Sequence, residues 1–194
     1  MKAAVLFVAA SIGFAASGGA QESGRALLVE GAMRQVGVTR YYDPAYRQLA
    51  YPGGDVPMDR GVCSDVIIRS FRHAGLDLQK LVHEDIRRNF AAYPQKWGLH
   101  TPDSNIDHRR VPNLAAFFHR SGRSLPVTDR GADYLPGDVV AWQLAYGVPH
   151  VGIVSDRRAP AGDRYLVVHN VGAGARLEDA LFAYQITGHF RWFH

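Results

Sequence analysis

Among its 194 residues the chain has one cysteine, Cys63, and nine histidines. A thiol attacks carbonyl carbon as its thiolate, so a catalytic cysteine needs a setting that stabilises the anion and a group that carries the proton. Cys63 stands in DRGVCSDVIIRSFRHAGLDL, where Val62, Val66, Ile67, Ser70, Phe71 and Ala74 recur at helical spacing before Gly75 ends the run. This predicts a helix with Cys63 in its first turn. Unpaired N–H groups and the positive end of the helix dipole stabilise a thiolate there, and the same N–H groups can donate to an oxyanion. The plainer reading is a packed thiol serving as a small hydrophobe.

The proton carrier should sit on a rigid element facing that helix. His150 opens the segment HVGIVSD and His169 closes RYLVVHNV. A hairpin over 150–156 and 164–170, with its loop at 157–162, would pair the two histidines directly, with Cβ atoms about 4.5–5.5 Å apart. In that register His150 takes the thiol proton, His169 orients it, and Asn170 points to the other face, which makes it the weaker orienter. The alternative is two ordinary strand-end histidines held by backbone.

Three further groups bear on the chemistry. The run Asn105-Ile-Asp-His-Arg-Arg-Val-Pro-Asn gathers Asp107, His108, Arg109 and Arg110 ahead of a helix that Asn113 can cap. Arg109 or Arg110 can clamp a substrate carboxylate, or the loop can be salt-linked around Asp107. Asp59 and Asp65 flank the cysteine and read as cap or dipole partners. No HExxH or paired-cysteine spacing occurs, so no metal or cofactor is expected, although Cys63, His150 and His169 together have the composition of a three-ligand set.

The elements that must position these residues follow from periodicity. Helices are expected at 24–36, near 77–92 and near 112–121, and a short strand in VTRYYDPAY before the turn chemistry of YPGGDVP. Strands then follow in DVVAWQL, HVGIVSD, RYLVVHNV and GHFRWF. Helices first and an antiparallel sheet second make an α+β domain. Residues 1–20 carry Lys2, an apolar run and then small residues, the pattern of a secretory signal cut before Gln21. One domain over 21–194, periplasmic or secreted and without a transmembrane segment after cleavage, is the expectation. The 22 Lys and Arg against 18 Asp and Glu give +4, and loss of Lys2 leaves +3. The charges are dispersed, with no basic block or nucleic-acid motif, so no nucleic-acid partner is expected.

RGVCSDVIIRSFRHAGLDL, LPGDVVAWQ, PHVGIVSD and LVVHN, in that order, resemble the NlpC-type cell-wall peptidases of the papain-like superfamily. With YDPAY, YPGGDVP, NIDHRRVPNL and HNVGAG, the chain more closely resembles a bacterial family of exported proteins known mainly as a domain of unknown function. That likeness spans roughly residues 25–194, and the likeness to the peptidases is confined to the segments around Cys63, Asp138, His150 and His169. It implies a papain-like core with Cys63 as nucleophile, His150 as base and His169 as third member. Tyr51 falls near the position of an oxyanion tyrosine in those peptidases, with Tyr41 and Tyr42 as competitors. The stretch from Cys63 to His150 is longer than in the simpler peptidases, and Val-Cys-Ser-Asp replaces Asp-Cys-Ser-Gly. The expected substrate is peptidoglycan or a muropeptide, cleaved at an amide bond through a thioester. A silent wall-binding module and an acyl transferase are the alternatives.

Overall fold

The alternation of Val, Ile and aromatic residues in the second half of the chain yields an antiparallel sheet, and the longer apolar periods before it yield helices that cover one face. The computed structural model describes residues 15–194. In chain order the elements are α1 (Ala15–Met33), β1 (Tyr41–Tyr42), β2 (Arg60–Gly61), α2 (Cys63–His73), α3 (Leu78–Asn89), α4 (Val111–Arg120), β3 (Ser124–Leu125), β4 (Val139–Gln143), β5 (Pro149–Arg158), β6 (Tyr165–His169), β7 (Arg176–Glu178) and β8 (Gln185–Phe190). Residues 1–14 of the expected signal lie outside the described residues, and residues 15–20 belong to α1.

The α+β expectation holds. The main sheet has the order β3-β8-β4-β5-β6-β7, with every pairing antiparallel, and β1 with β2 forms a separate parallel pair. Strand alternation divides the core. Val139, Ala141, Val151, Ile153 and Val168 face the helices and pack with Val66, Ile67, Phe71, Leu78, Leu114 and Phe118. Val140, Trp142, Val154 and Val167 face the other way, onto Tyr134 and Leu181. Fully burying a side chain such as Ile67 or Phe71 contributes about 1.5–3 kcal/mol, so these two clusters hold the sheet and α2 in fixed relation.

The end of α1 departs from the periodicity. Helix α1 ends at Met33 rather than at 36, because the buried Gln35 side chain donates to Gly31 O and Val66 O and ties the following turn to α2. Its Gly31 allows close approach: a Cβ there would meet His73 Cβ and Ser70 Cα at 2.8 Å. Among the described residues, no helix is long and apolar enough to cross a membrane.

Candidate active site

Helix α2 begins at Cys63, as its sequence predicts, with Val62 at the N-cap. Valine has no capping oxygen. Asp65, in the third helical position, instead accepts the Val62 backbone N–H at 2.6 Å, which satisfies a donor that helix starts otherwise leave free. The Asp65 carboxylate also takes two hydrogen bonds from Arg109, Nε and Nη2 each at 2.9 Å. Both residues are buried. Arg109 spends its other donors on Ala45 O and Asp43 O, while its own carbonyl accepts from Ser64 Oγ at 2.7 Å. This pins the start of α2 to two loops.

The strand ladder explains how the thiol meets β5. The Val154 N–H donates to Asp138 O, on the β4 side; by alternation the Val151 N–H points to the β6 side. Pairing between β5 and β6 stops at Gly152 and His169. Beyond that last rung the Val151 N–H faces the start of α2, near enough to Cys63 to favour its thiolate. Asn170, the next residue of the chain, turns its amide to Gly61 O at 3.0 Å. It is a bracket for the segment before Cys63 and not an orienter of His150.

His150 and His169 meet, though by another register. His169 pairs with Gly152, two residues from the expected partner, and the hairpin loop falls at 159–164 with an irregularity between Val154 and Arg158. A shift of two keeps both rings on one face, so they become diagonal neighbours. Gly152 makes this possible, since a Cβ there would lie 2.8 Å from Val167 Cγ1 and 3.0 Å from His169 Cβ. His150 Nε2 lies 2.8 Å from His169 Nδ1, and His169 Nε2 lies 2.8 Å from Glu178 Oε2. Both histidines are buried. Trp142 covers them, its ring centroid 5.7 Å from that of His150 and 6.4 Å from that of His169, and is itself fixed by Nε1–H donation to Leu181 O. The histidines thus lie on the Trp142 side of the sheet and Cys63 on the helix side, near Val151, the residue after His150. Among the described residues no hydrogen bond joins the Cys63 sulfur to the His150 ring.

The electrostatics correct one expectation. The helix start was expected to depress the thiol pKa. Burial instead pushes Cys63 up to about 11, with a smaller push from the Asp65 charge, and donation from Val151, Ser64 and its own N–H offsets only part. Burial pushes His150 down to about 3, helped by His169. For His169 burial again dominates and lowers the pKa against the pull of Glu178. At neutral pH the thiol and both imidazoles are therefore uncharged.

Other expected site residues are dispersed. Tyr51 is exposed and packs edge-on against His83 of α3, with centroids 5.1 Å apart and Glu84, Arg87 and Asp77 as its charged surroundings. Tyr42 comes nearer to α2 than Tyr51: β1 pairs it with Gly61, two residues before Cys63, and its phenol pKa is raised by partial burial and then by Cys63 and Asp65. Arg109 is no free clamp, because Asp65 and two carbonyls consume it. Asp107 is buried, accepts the Asp103 N–H, and has its pKa raised by burial. His108 is buried, and burial followed by the Arg109 charge pushes its pKa down to about 3. Arg110 stacks on Trp97 at 4.1 Å and lies 3.8 Å from Asp107. Asn113 does not cap α4; Arg110 holds that position, and the Asn113 amide donates to Asp107 O. Asp59 pairs with Arg60 rather than capping α2.

Glu178 was not expected. It lies on β7, a strand of three residues after a glycine-rich turn, in a register that sets it opposite Val167 and diagonal to His169. The trace it leaves in the sequence is the alternation Arg176-Leu177-Glu178, with Leu177 turned to the helix-side core.

Among the described residues, no cluster of three or more His, Cys, Asp or Glu side chains is arranged to hold a metal ion.

The chain belongs to the family of the domain of unknown function DUF1287, whose model matches residues 29–192. This bears out the resemblance to a family of that kind. It is 57% identical over 166 residues to the uncharacterized protein YijF of Escherichia coli (strain K12), a match covering 86% of this chain and 80% of that protein. The structure of NlpC1 from Trichomonas vaginalis aligns with a TM-score of 0.48 and 13% identity, over 89% of this chain and 45% of that one. The chain thus spans less than half of that protein's length, and the likeness is a loose one.

Proposed function

We propose that the protein is an exported cysteine hydrolase that cleaves an amide bond in the peptide stems of peptidoglycan, with Cys63 as nucleophile and His150 as general base. The observation that supports this reading is that Cys63 opens α2 near Val151 of β5, and that the residue before Val151, His150, begins a buried relay to His169 and Glu178. Export and the wall substrate rest on the signal-like residues 1–20 and on the resemblance to wall peptidases.

The resting pair is neutral, so the proton moves as the bond forms. Cys63 Sγ attacks the carbonyl carbon, and its proton passes to the free nitrogen of His150, Nδ1. The carbonyl oxygen gains charge and takes hydrogen bonds from an N–H of the first turn of α2 and from the Tyr42 hydroxyl. His150 then protonates the leaving amine and the C–N bond breaks, leaving a thioester on Cys63. Water attacks the thioester, gives its proton to His150, and the carboxylic acid leaves as the proton returns to sulfur. Purified sacculi incubated with wild type and with Cys63→Ala, with released fragments read by mass spectrometry, test the proposal.

A second reading is favoured by one observation, the burial of Cys63 to 5% exposure. On that reading the fold is a wall-binding module with a silent thiol. Cys63→Ala would then bind muropeptides as wild type does, and no product would depend on the thiol.

A further inference from the structure

Glu178 extends the relay beyond the two histidines, and its neighbours leave it free to do so. Arg164, the last residue of the β5–β6 loop, forms its pair with Asp179, Nε to Oδ1 at 2.7 Å, and Arg176 turns its Nε to Ala173 O. Among the described residues the hydrogen-bond partner of the Glu178 carboxylate is His169 Nε2, at 2.8 Å. The Glu178 side chain is 41% exposed and His169 is 1% exposed, so a solvated carboxylate reaches in to one end of a buried chain of hydrogen bonds.

That geometry fixes protons. An ionised carboxylate only accepts hydrogen bonds, so His169 Nε2 must carry a proton. A neutral His169 then has its lone pair on Nδ1 and can only accept from His150, which places the His150 proton on Nε2. A neutral His150 is left with its lone pair on Nδ1, the nitrogen that must receive the thiol proton. Without Glu178 both rings can adopt the reverse arrangement, with Nδ1–H on each and no lone pair on the His150 nitrogen that serves the thiol.

We infer that Glu178 is a positioning residue that sets the tautomers of both His169 and His150, and so keeps His150 Nδ1 free to accept the proton of Cys63. The inference rests on the hydrolytic reading for its consequence in catalysis, although the tautomers themselves do not. Its negative charge also stabilises the imidazolium formed when the thiol proton arrives. The competing explanation is a surface link that joins β7 to β6 and adds stability alone.

Two-bond ¹H–¹⁵N histidine spectra of wild type, Glu178→Ala and Glu178→Gln separate these, together with kcat and KM on muropeptides and urea midpoints. Wild type is expected to show Nε2–H tautomers for both His150 and His169. Glu178→Ala populates the Nδ1–H forms and lowers kcat about tenfold, part of the roughly hundredfold or more that a positioned proton acceptor contributes, with KM unchanged. Glu178→Gln offers a carbonyl oxygen to the same N–H and restores the wild-type tautomers and most of kcat. The inference is overturned if wild type holds the Nδ1–H tautomers, if Glu178→Ala leaves the tautomers in place, or if kcat survives their loss. Expected tautomers in a wild type that releases no Cys63-dependent product would sink the hydrolytic reading and leave the assignment of tautomers standing.

Discussion

The imidazoles of His150 and His169 share a hydrogen bond of 2.8 Å beneath Trp142, although their strands do not pair them. Because the bond is buried, loss of either ring leaves the other with an unsatisfied nitrogen in a dry site. His150→Ala is expected to abolish thiol-dependent hydrolysis. His169→Ala should reduce kcat by roughly a hundredfold, since the base survives without its orienter. Equal kcat for His169→Ala and wild type would remove His169 from the relay.

The neutral resting pair makes a statement about pH. With the thiol pushed up to about 11 and His150 down to about 3, thiolate is scarce near pH 7 and grows about tenfold per pH unit up to the thiol pKa. Alkylation of Cys63 by iodoacetamide should therefore climb steadily from pH 7 to pH 10. A rate plateau between pH 5 and 8, the mark of a stable thiolate–imidazolium pair, would contradict the neutral site.

Acid should unfold the protein through its buried histidines. His150 and His108 both have folded pKa values of about 3 against an ordinary 6.5. The unfolded chain then binds more protons, so the stability these groups contribute is present above pH 6.5 and is lost as pH falls toward 3. At pH 5 the loss is on the order of 2 kcal/mol for each. Urea midpoints between pH 7.5 and 4.5 check this, and His108→Gln should flatten the slope.

Arg109 is expected to govern stability and not substrate affinity. Its bidentate pair with Asp65 is buried on both sides, and removing one partner of such a pair costs about 3–5 kcal/mol. Asp65→Asn and Arg109→Ala should each lower the urea midpoint sharply. A variant of normal stability with a raised KM would restore Arg109 as a clamp.

Tyr42 and Tyr51 can be told apart by single oxygen deletions. Tyr42→Phe should lower kcat by roughly tenfold to a hundredfold, the order of one oxyanion donor. Tyr51→Phe should leave kcat unchanged, because its ring sits against His83. The opposite pattern would place the oxyanion on the α3 side.

Much of the frame was legible in the sequence because strong periodicity decides it. The start of α2 at Cys63 and the strands that begin near His150 and end near His169 followed from apolar spacing. The register did not, since an irregularity between Val154 and Arg158 moves the pairing by two without changing the face. Tyr51 was misplaced because sequence distance from Cys63 says nothing of which loop folds back on it; the pairing of Tyr42 with Gly61 decides that. Arg109 and Glu178 are long-range partners of Asp65 and His169, and no local pattern pairs them. The thiol pKa escaped because a helix start and burial act in opposite directions, and only packing tells which is larger.

On the proposed function Cys63 breaks an amide bond in the cell wall. Mass spectrometry of fragments released from purified sacculi by wild type and by Cys63→Ala tests it most directly. Stem-peptide fragments are expected with wild type and should be absent with Cys63→Ala. Identical fragment profiles from the two proteins, on sacculi of every wall type tried, would contradict it.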